Sequence, residues 1–240
     1  MYLWHSSRTV KRSPKKNIAQ AKAEIFAYLN RNNWAVINAD DEHYEHLTSN
    51  LQLPTSNIVT FGIIEKAQVT PKALSGIKLP VPGEHNIYNA LAAVAVAKVL
   101  KLSKKDIKKG LEGFRPSSKR WDVINRPDKV KIINDTYNAN PQSMAAALKV
   151  LAVLNGRKIA VLGEMLELGG RAAAAHRRVL RLCRELKIDL VYTFGRGWRR
   201  PARSKKTLIK TLQKIIRPRD IILVKGSRGT RMEEVVEAIR

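Results

Sequence analysis

Four polar side chains that could bind a ligand crowd one short stretch, INDTYNANPQSMAAAL at residues 133–148. The stretch begins with the pattern of a strand and ends with the Ala-rich pattern of a helix. Asp135 could accept a hydrogen bond from a ribose hydroxyl, and the amides of Asn138 and Asn140 beside a helix N-terminus suit a carboxylate or a phosphate. Asn140 is also a good N-cap, but capping explains neither Asp135 nor Tyr137. The residues alone leave a capped turn and a ligand site equally open.

A second polar group opens the segment GEHNIYNALAAVAVAKVLKL, residues 83–102. His85, Asn86 and Asn89 fall in the first two turns of a predicted buried helix, and Asn86 and Asn89 share one face of it. Two carboxamides on one face can bind the edge of a base. They can equally satisfy backbone groups at the start of a buried helix, and both interpretations stay open.

A third candidate is the segment VKGSRGTRMEEV, residues 224–235, which has the pattern of a strand, a glycine-containing loop and a helix. Backbone N–H groups in such a loop can hold an anion. Lys225, Ser227 and Arg228 would line this cradle, although many ordinary strand-to-helix turns share the pattern.

The other titratable residues show no catalytic or metal-binding spacing. Taken alone, Lys22 and Arg120 have the sequence context of ordinary surface cations. No Ser-His-Asp arrangement and no metal site can be assembled from the histidines His5, His43, His46 and His176. The single cysteine, Cys183, excludes an internal disulfide and a cysteine-built metal site, which is typical of a reducing compartment.

The predicted secondary structure that positions these residues changes at about residue 116. Up to about residue 116 the pattern predicts a helix at 17–32, strands at 34–41 and 57–64, an extended or edge segment at 76–83, and helices at 83–102 and 103–114. After Pro116 it becomes regular, with strands at 130–135, 158–164, 189–195 and 220–226 and helices at 141–154, 171–187, 204–216 and 229–239. This alternation predicts a parallel sheet, and ligands bind such sheets at the carboxyl ends of the strands.

The chain is strongly basic, with 45 Lys and Arg against 20 Asp and Glu in 240 residues. This balance favours polyanionic partners. The densest cluster, RGWRRPARSKK at 196–206, is also typical of a solvated loop. With 44% hydrophobic residues the chain can bury a substantial core, and no apolar run approaches the ~18 residues of a transmembrane helix. We therefore expect a cytoplasmic globular protein.

Five segments taken in order are more specific than any one of them: AKAEIF…AVINADDE, PGEHNIYNALAAVAVAK, INDTYNANPQSMAAAL, GRKIAVLGEMLELG…AHRRV and ILVKGSRGTRMEEVV. Together they resemble the Mur ligases of peptidoglycan synthesis. The resemblance implies an α/β protein with a truncated Mur-ligase central ATPase domain followed by a Rossmann-like C-terminal domain. The expected boundaries are an unmatched segment at 1–16, a partial central domain at 17–116 and the C-terminal domain at 117–240.

The resemblance also implies an activity, the ATP-dependent addition of D-alanyl-D-alanine to a UDP-N-acetylmuramoyl tripeptide. In that family ATP and Mg²⁺ convert a carboxylate into an acyl phosphate, which the incoming amine then attacks. Such a protein would serve cell-wall synthesis, and through it cell shape and cell division.

Residue roles follow from the matching positions. Lys22 falls where the family has a carbamylated lysine, whose new carboxylate supports a metal at the transferring phosphate. ATP would contact His85, Asn86, Asn89, Arg120 and Asp135. The substrates would contact Tyr137, Asn138, Asn140, Lys225, Ser227 and Arg228. No metal ligand can be assigned.

One family feature does not occur in the sequence: no G-x-x-x-x-G-K-[ST] loop is present. We therefore expect an incomplete ligase that needs a separate chain carrying the phosphate loop and does not hydrolyse ATP in isolation. The alternatives are an inactive nucleotide-binding remnant and a basic nucleic-acid-binding protein, which is supported by charge alone.

Overall fold

The computed structural model describes residues 23–49, 51 and 53–240. Their contacts divide the chain into two compact units, one of residues up to 78 with 87–111, the other of residues 79–86 with 112–240. Among the described residues, none of the helices combines the length and the hydrophobicity that a transmembrane segment requires.

The first unit contains a short parallel sheet of β1 (Ala35–Asn38) and β2 (Ile58–Phe61). Its helices are α1 (Tyr44–Ser49), α2 (Glu84–Val99), which enters this unit at Ile87, and α3 (Lys104–Glu112). Leu91, Val94 and Ala95 of α2 are buried with Val69 and with apolar side chains of both strands. The near-continuous apolar character of α2 in the sequence is explained by this burial.

An aspartate after β1 organises the loop after β2. The Asp40 carboxylate accepts hydrogen bonds from the N–H groups of Ile63 (2.6 Å), Ile64 (3.1 Å) and Glu65 (2.6 Å) and from the Tyr88 hydroxyl (2.7 Å). Partial burial alone would raise the pKa of Asp40, but these donors outweigh it and lower the pKa from 3.8 to about 2. The ionised carboxylate therefore ties the loop to α2.

The described part of the segment predicted as a helix at 17–32 contains a 3-10 turn, Glu24–Tyr28, and the first residues of that segment lie outside the described part of the chain. After this turn the side chains of Asn30 and Asn33 accept hydrogen bonds from nearby N–H groups and compete with helix formation. The segment 76–83 joins neither sheet, so of its two interpretations the edge strand is wrong; Pro80 and Pro82 lack the N–H groups that a strand would donate. Ser103 caps α3, since its hydroxyl accepts from the Asp106 N–H at 3.1 Å.

The second unit is a five-stranded sheet with the order β3-β4-β7-β5-β6. Its strands are β3 (Asp122–Asn125), β4 (Lys131–Asp135), β5 (Lys158–Gly163), β6 (Leu190–Phe194) and β7 (Ile221–Lys225). The pairs β4–β7, β7–β5 and β5–β6 are parallel, as predicted. β3 is an antiparallel edge strand beside β4 that the sequence pattern did not reveal. It is short and only alternately buried, so it has no continuous apolar run.

Helices cover both faces of this sheet. α4 (Pro141–Ala152) and α5 (Ala172–Glu185) bury one face around Leu148 and Leu162. α6 (Lys205–Ile215) and α7 (Glu233–Ile239) bury the other face. The helix predicted at 229–239 is shorter than expected, because a 3-10 turn at Arg228–Thr230 and a left-handed Arg231 precede α7.

Candidate functional site

The carboxyl ends of β4 and β7 lie side by side in the second unit, with Asp135 opposite Lys225. The chain leaves β4 for α4 on one face of the sheet and leaves β7 for α7 on the other. Neighbouring strands with connections to opposite faces open a crevice at their carboxyl ends, and open α/β sheets bind ligands there. The parallel pairing therefore brings Asp135 and the Lys225 loop to the same end of the sheet.

A buried ion pair joins the two strands at this edge. The Nζ atom of Lys225 lies 2.6 Å from Oδ2 of Asp135 and donates to the carbonyl oxygen of Asn138 at 3.0 Å. Oδ1 of Asp135 accepts from the Trp121 N–H at 3.3 Å. Lys225 is only 3% exposed, so the carboxylate offsets the loss of water around the ammonium. A carboxylate has about four acceptor sites, so Asp135 retains capacity for a ligand.

Arg120 lies between two residues with left-handed backbones. The φ angles are +69° at Lys119 and +49° at Trp121, which non-glycine residues rarely adopt. The Arg120 guanidinium lies over the Tyr137 ring, 3.9 Å from its centroid, and the Lys119 carbonyl accepts from the Tyr137 N–H at 2.9 Å. Strained backbone of this kind clusters at ligand sites, and here it brings Arg120 to the segment that follows β4.

Lys119 leads to a second charged cluster. Its Nζ atom lies 2.9 Å from Oε1 of Glu233, and a guanidinium nitrogen of Arg228 lies 3.5 Å from the same oxygen. Burial would raise the pKa of Glu233, but the bond from Lys119 and further donors outweigh it and hold the pKa below its ordinary value. The ionised Glu233 thus links the segment before β3 to Arg228, whose side chain is 59% exposed.

Ser227 joins three loops at the carboxyl edge. Its hydroxyl donates to the Ala139 carbonyl at 3.1 Å and accepts from the Leu166 N–H at 2.9 Å, while its own N–H donates to the Glu164 carbonyl at 3.0 Å. The residue is 4% exposed. The hydroxyl is therefore already bonded within the protein.

The two predicted asparagines after β4 have different surroundings. Oδ1 of Asn140 accepts from the Ser143 N–H at 2.8 Å, and the Ser143 hydroxyl accepts from the Asn140 N–H at 3.0 Å, which makes a capping box. The capping interpretation is confirmed for Asn140. Asn138 is exposed, and its Oδ1 accepts from the adjacent Ala139 N–H at 2.8 Å.

The start of α2 belongs to the second unit. The Asn86 side chain donates to the Pro82 carbonyl at 2.7 Å, so it satisfies a backbone group before the helix. Loss of water around the ring lowers the pKa of His85; the charge of Asp135 opposes this effect and that of Lys225 adds to it. Gly83 has a φ of +108° and lies so close to Val150 of α4 that an added Cβ would be 3.0 Å from it. Asn89, one turn further along α2, is exposed.

Some residues that hold the loops of the second unit had no local signal in the sequence. Lys119 and Glu233 are 114 residues apart, and only the tertiary fold brings them together. His176 is buried in α5, where Nε2 accepts from the Met165 N–H at 3.0 Å and Nδ1 contacts the Ala172 carbonyl at 2.7 Å. A neutral imidazole with its proton on Nδ1 satisfies both contacts, so His176 fixes the loop after β5.

The described residues do not form a site for the expected Mg²⁺. Within residues 23–49, 51 and 53–240, no group of three or more His, Cys, Asp and Glu side chains is arranged to hold a metal ion. Lys22, the predicted metal-supporting residue, lies outside the described part of the chain. No catalytic step is assigned to a metal held by these residues.

Comparison with known proteins gives consistent matches along the chain. The family model of the Mur ligase middle domain matches residues 13–97, and that of the Mur ligase glutamate ligase domain matches residues 119–228. UDP-N-acetylmuramoyl-tripeptide–D-alanyl-D-alanine ligase from Escherichia coli K12 is 34% identical over 93% of this chain. The chain belongs to the Mur ligase family.

Other members of the Mur ligase family match the chain over a similar length. The Bacillus subtilis protein of the same name is 30% identical over 93% of this chain. The crystal structure of MurF from Acinetobacter baumannii superposes with a TM-score of 0.77 at 30% identity, covering 92% of this chain and 55% of that one. The chain spans about 55% of the E. coli relative and 54% of the B. subtilis relative. The expected α/β fold with Mur ligase middle and C-terminal domains is confirmed.

Proposed function

We propose that this chain forms part of an ATP-dependent ligase that joins D-alanyl-D-alanine to a UDP-N-acetylmuramoyl tripeptide in peptidoglycan synthesis. The observation that carries the proposal is the carboxyl edge of β4 and β7, where Asp135 pairs with Lys225. Arg120 lies over Tyr137 in the segment after β4, and Arg228 contacts Glu233 after β7. The relatives that support it carry that activity in their names and match nearly the whole chain.

The reaction has two steps. The tripeptide carboxylate attacks the γ-phosphorus of ATP, which gives an acyl phosphate and ADP. The amine of the dipeptide then attacks the acyl carbon, and inorganic phosphate leaves as the amide forms. Both transition states carry concentrated negative charge, so fixed cationic and N–H groups lower their free energy. Arg120 and Arg228 are the groups of this kind beside the crevice.

The residue roles follow the positions that match the family. Asp135 is assigned to the ribose of ATP and Asn86 and Asn89 to its adenine, with His85 as a further ATP contact. Tyr137, Asn138 and Asn140 face the substrates. Lys225 and Ser227 are already bonded within the protein, so we assign them to positioning the loop after β7. Lys22 keeps its predicted role as a metal-supporting carbamate.

Because the chain spans about half of its curated relatives, turnover is tested in a chimera. Residues 13–240 replace the matching region of the E. coli relative, and phosphate release is measured with ATP, the UDP-linked tripeptide and D-alanyl-D-alanine. We expect release that requires both substrates. Asp135→Ala in the chimera should reduce kcat/KM by roughly 100-fold, whereas Glu237→Gln on the exposed face of α7 should leave it unchanged.

The result that contradicts the proposal is also specific. A chimera that folds and binds the UDP-linked tripeptide, yet releases no phosphate, would remove the ligase assignment. If that chimera still bound ATP, the nucleotide-binding alternative would replace it.

A further inference from the structure

One surface of the second unit is lined with arginine. The exposed face of α5 carries Arg177, Arg178, Arg181 and Arg184, and the loop after β6 carries Arg196, Arg199, Arg200 and Arg203. All eight residues are exposed. We call these eight residues the arginine surface.

The loop and the helix are adjacent. Trp198 packs edge-on against His176 of α5 with ring centroids 4.4 Å apart. An added Cβ on Gly197 would lie 2.5 Å from the same imidazole, so the loop backbone rests on the helix. The Glu164 carboxylate also accepts from the Arg196 N–H at 3.0 Å. These contacts place the loop and its four arginines beside the start of α5.

Two other arginines of the unit, Arg157 and Arg126, are held by partners. Arg157 binds Asp220 through two nitrogens, at 2.9 and 2.6 Å, and Arg126 binds Asp128 and the Ile239 carbonyl. Within the described part of the chain, by contrast, none of the eight side chains of the arginine surface makes a hydrogen bond or an ion pair. Their fork-shaped N–H groups are therefore available to a ligand.

The start of α5 adds to the accumulation of positive charge. A helix N-terminus favours acidic residues, because its free N–H groups are partly positive. The first turn of α5 contains no acid, and Arg171 occupies its N-cap position without a capping bond. Arg177 and Arg181, spaced i,i+4 along the helix, also repel each other. A bound polyanion would offset each of these unfavourable terms.

We propose that the arginine surface binds the sugar–phosphate backbone of duplex nucleic acid without sequence specificity. From Arg177 to Arg184 the helix rises by about 10 Å, which is close to the rise of about three phosphates along one strand. Guanidinium groups bind phosphate oxygens in pairs, and this contact carries no base information.

Two other polyanions fit less well. Helices that lie on membranes insert large apolar side chains between the lipids, and no exposed large apolar residue of the described chain lies on α5 or in the loop at 196–203. Single-stranded nucleic acids stack their bases on exposed aromatic rings. Trp198, the aromatic residue of the loop at 196–203, is 3% exposed and covered by the protein.

The test is the salt dependence of binding by the 240-residue chain. Fluorescence anisotropy with a labelled duplex of about 25 base pairs, between about 50 and 200 mM salt, should give a log K that falls linearly with log salt. Replacing Arg177, Arg181 and Arg184 by Gln should reduce the magnitude of that slope by about 2.7, because about 0.9 is lost with each phosphate contact. Replacing Arg199, Arg200 and Arg203 by Gln should have the same effect.

A matched variant controls for net charge. Replacing Lys104, Lys105 and Lys109 of α3 by Gln removes the same charge from an exposed helix of the other unit, and the slope should stay unchanged. Circular dichroism verifies that each variant is folded.

Three outcomes would overturn the proposal. Equal losses in the arginine and lysine variants would mean that net charge alone attracts the duplex. Tighter, Arg-dependent binding to vesicles rich in phosphatidylserine would assign the surface to a membrane. Tighter binding to a single strand of the same length would remove the duplex assignment. None of these measurements depends on ligase activity, so they stand apart from the chimera experiment.

Discussion

Asp135 combines a structural and a proposed functional role at the residue scale. Its Oδ2 atom neutralises the buried Lys225, and its Oδ1 atom holds the Trp121 N–H beside the strained segment that presents Arg120. A ligand bound by the remaining lone pairs would therefore meet a carboxylate that is already fixed in orientation. Such preorganisation lowers the free-energy cost of binding.

Breaking the ion pair from one side should destabilise the protein. Asp135→Asn leaves the Lys225 ammonium buried and uncompensated, which costs roughly 3 kcal/mol in the free energy of unfolding. The double variant Asp135→Asn/Lys225→Met removes both charges and should recover most of that loss. Urea unfolding followed by circular dichroism measures the cycle, and Glu237→Gln is the exposed control.

The comparison of single and double variants decides the interpretation. If Asp135→Asn were as stable as the parent chain, the ion pair would not be required for folding. If the double variant were no more stable than the single one, the cost would come from the lost Trp121 contact instead.

Residue types were easier to predict than residue partners. The runs VKIIND and DIILVKG place Asp135 and Lys225 at strand ends, because each apolar run stops at a charged residue. Their pairing depends on β7 lying next to β4 although the two strands are 90 residues apart in that contact. The pair Lys119–Glu233 depends in the same way on long-range order, so neither pair has a local signal.

At the scale of elements, short polar contacts decide where segments end. The Asp40 carboxylate holds three consecutive N–H groups after β2 and the Tyr88 hydroxyl of α2. The sequence shows two adjacent aspartates at 40 and 41, but it does not indicate which of them binds the distant loop. The chain geometry after β1 makes that choice.

Asp40 should make stability depend on pH. Its folded-state pKa lies at about 2, below the ordinary value of 3.8, so its contribution is fully present above about pH 4 and is lost as the pH falls toward 2. Asp40→Asn should lower stability at neutral pH and flatten the pH dependence in that window. Thermal unfolding from pH 7 to 2 measures it, with Glu65→Gln as the matched control. A variant with the same acid profile as the parent would contradict this role.

The end of α5 offers a second test at this scale. Lys187 has a φ of +52°, and the N–H groups of Lys187 and Ile188 donate to the carbonyls of Arg184 and Cys183, each at 3.0 Å. This is the Schellman arrangement, which favours glycine at the left-handed position. Lys187→Gly should stabilise the chain by roughly 0.5–1 kcal/mol in urea unfolding. Lys187→Ala should give no such gain, and equal effects of the two variants would show that backbone strain is absent.

At the scale of the whole chain, the sequence predicted the order of helices and strands better than the topology of the sheet. Alternating strands and helices after Pro116 correctly indicated a parallel sheet. The strand order and the antiparallel β3 were not predictable, because the side chains of a strand do not specify its neighbour. Family resemblance supplied the architecture that local patterns lacked.

Residues 117–240 should fold without the rest of the chain. Both apolar clusters of the five-stranded sheet lie within these residues, so removing the preceding segments leaves the core intact. Within the second unit, only residues 79–86 and 112–116 are removed. Some of them line a cavity of about 470 Å³ together with Trp121, Val123 and Leu154. The isolated polypeptide should unfold in urea in one cooperative transition and retain near-ultraviolet circular dichroism. Leu148→Ala, which leaves a cavity at a fully buried position, should lower its free energy of unfolding by roughly 2–5 kcal/mol. A polypeptide without a cooperative transition, or one indifferent to Leu148→Ala, would show that the sheet needs the remaining residues to reach its packed state.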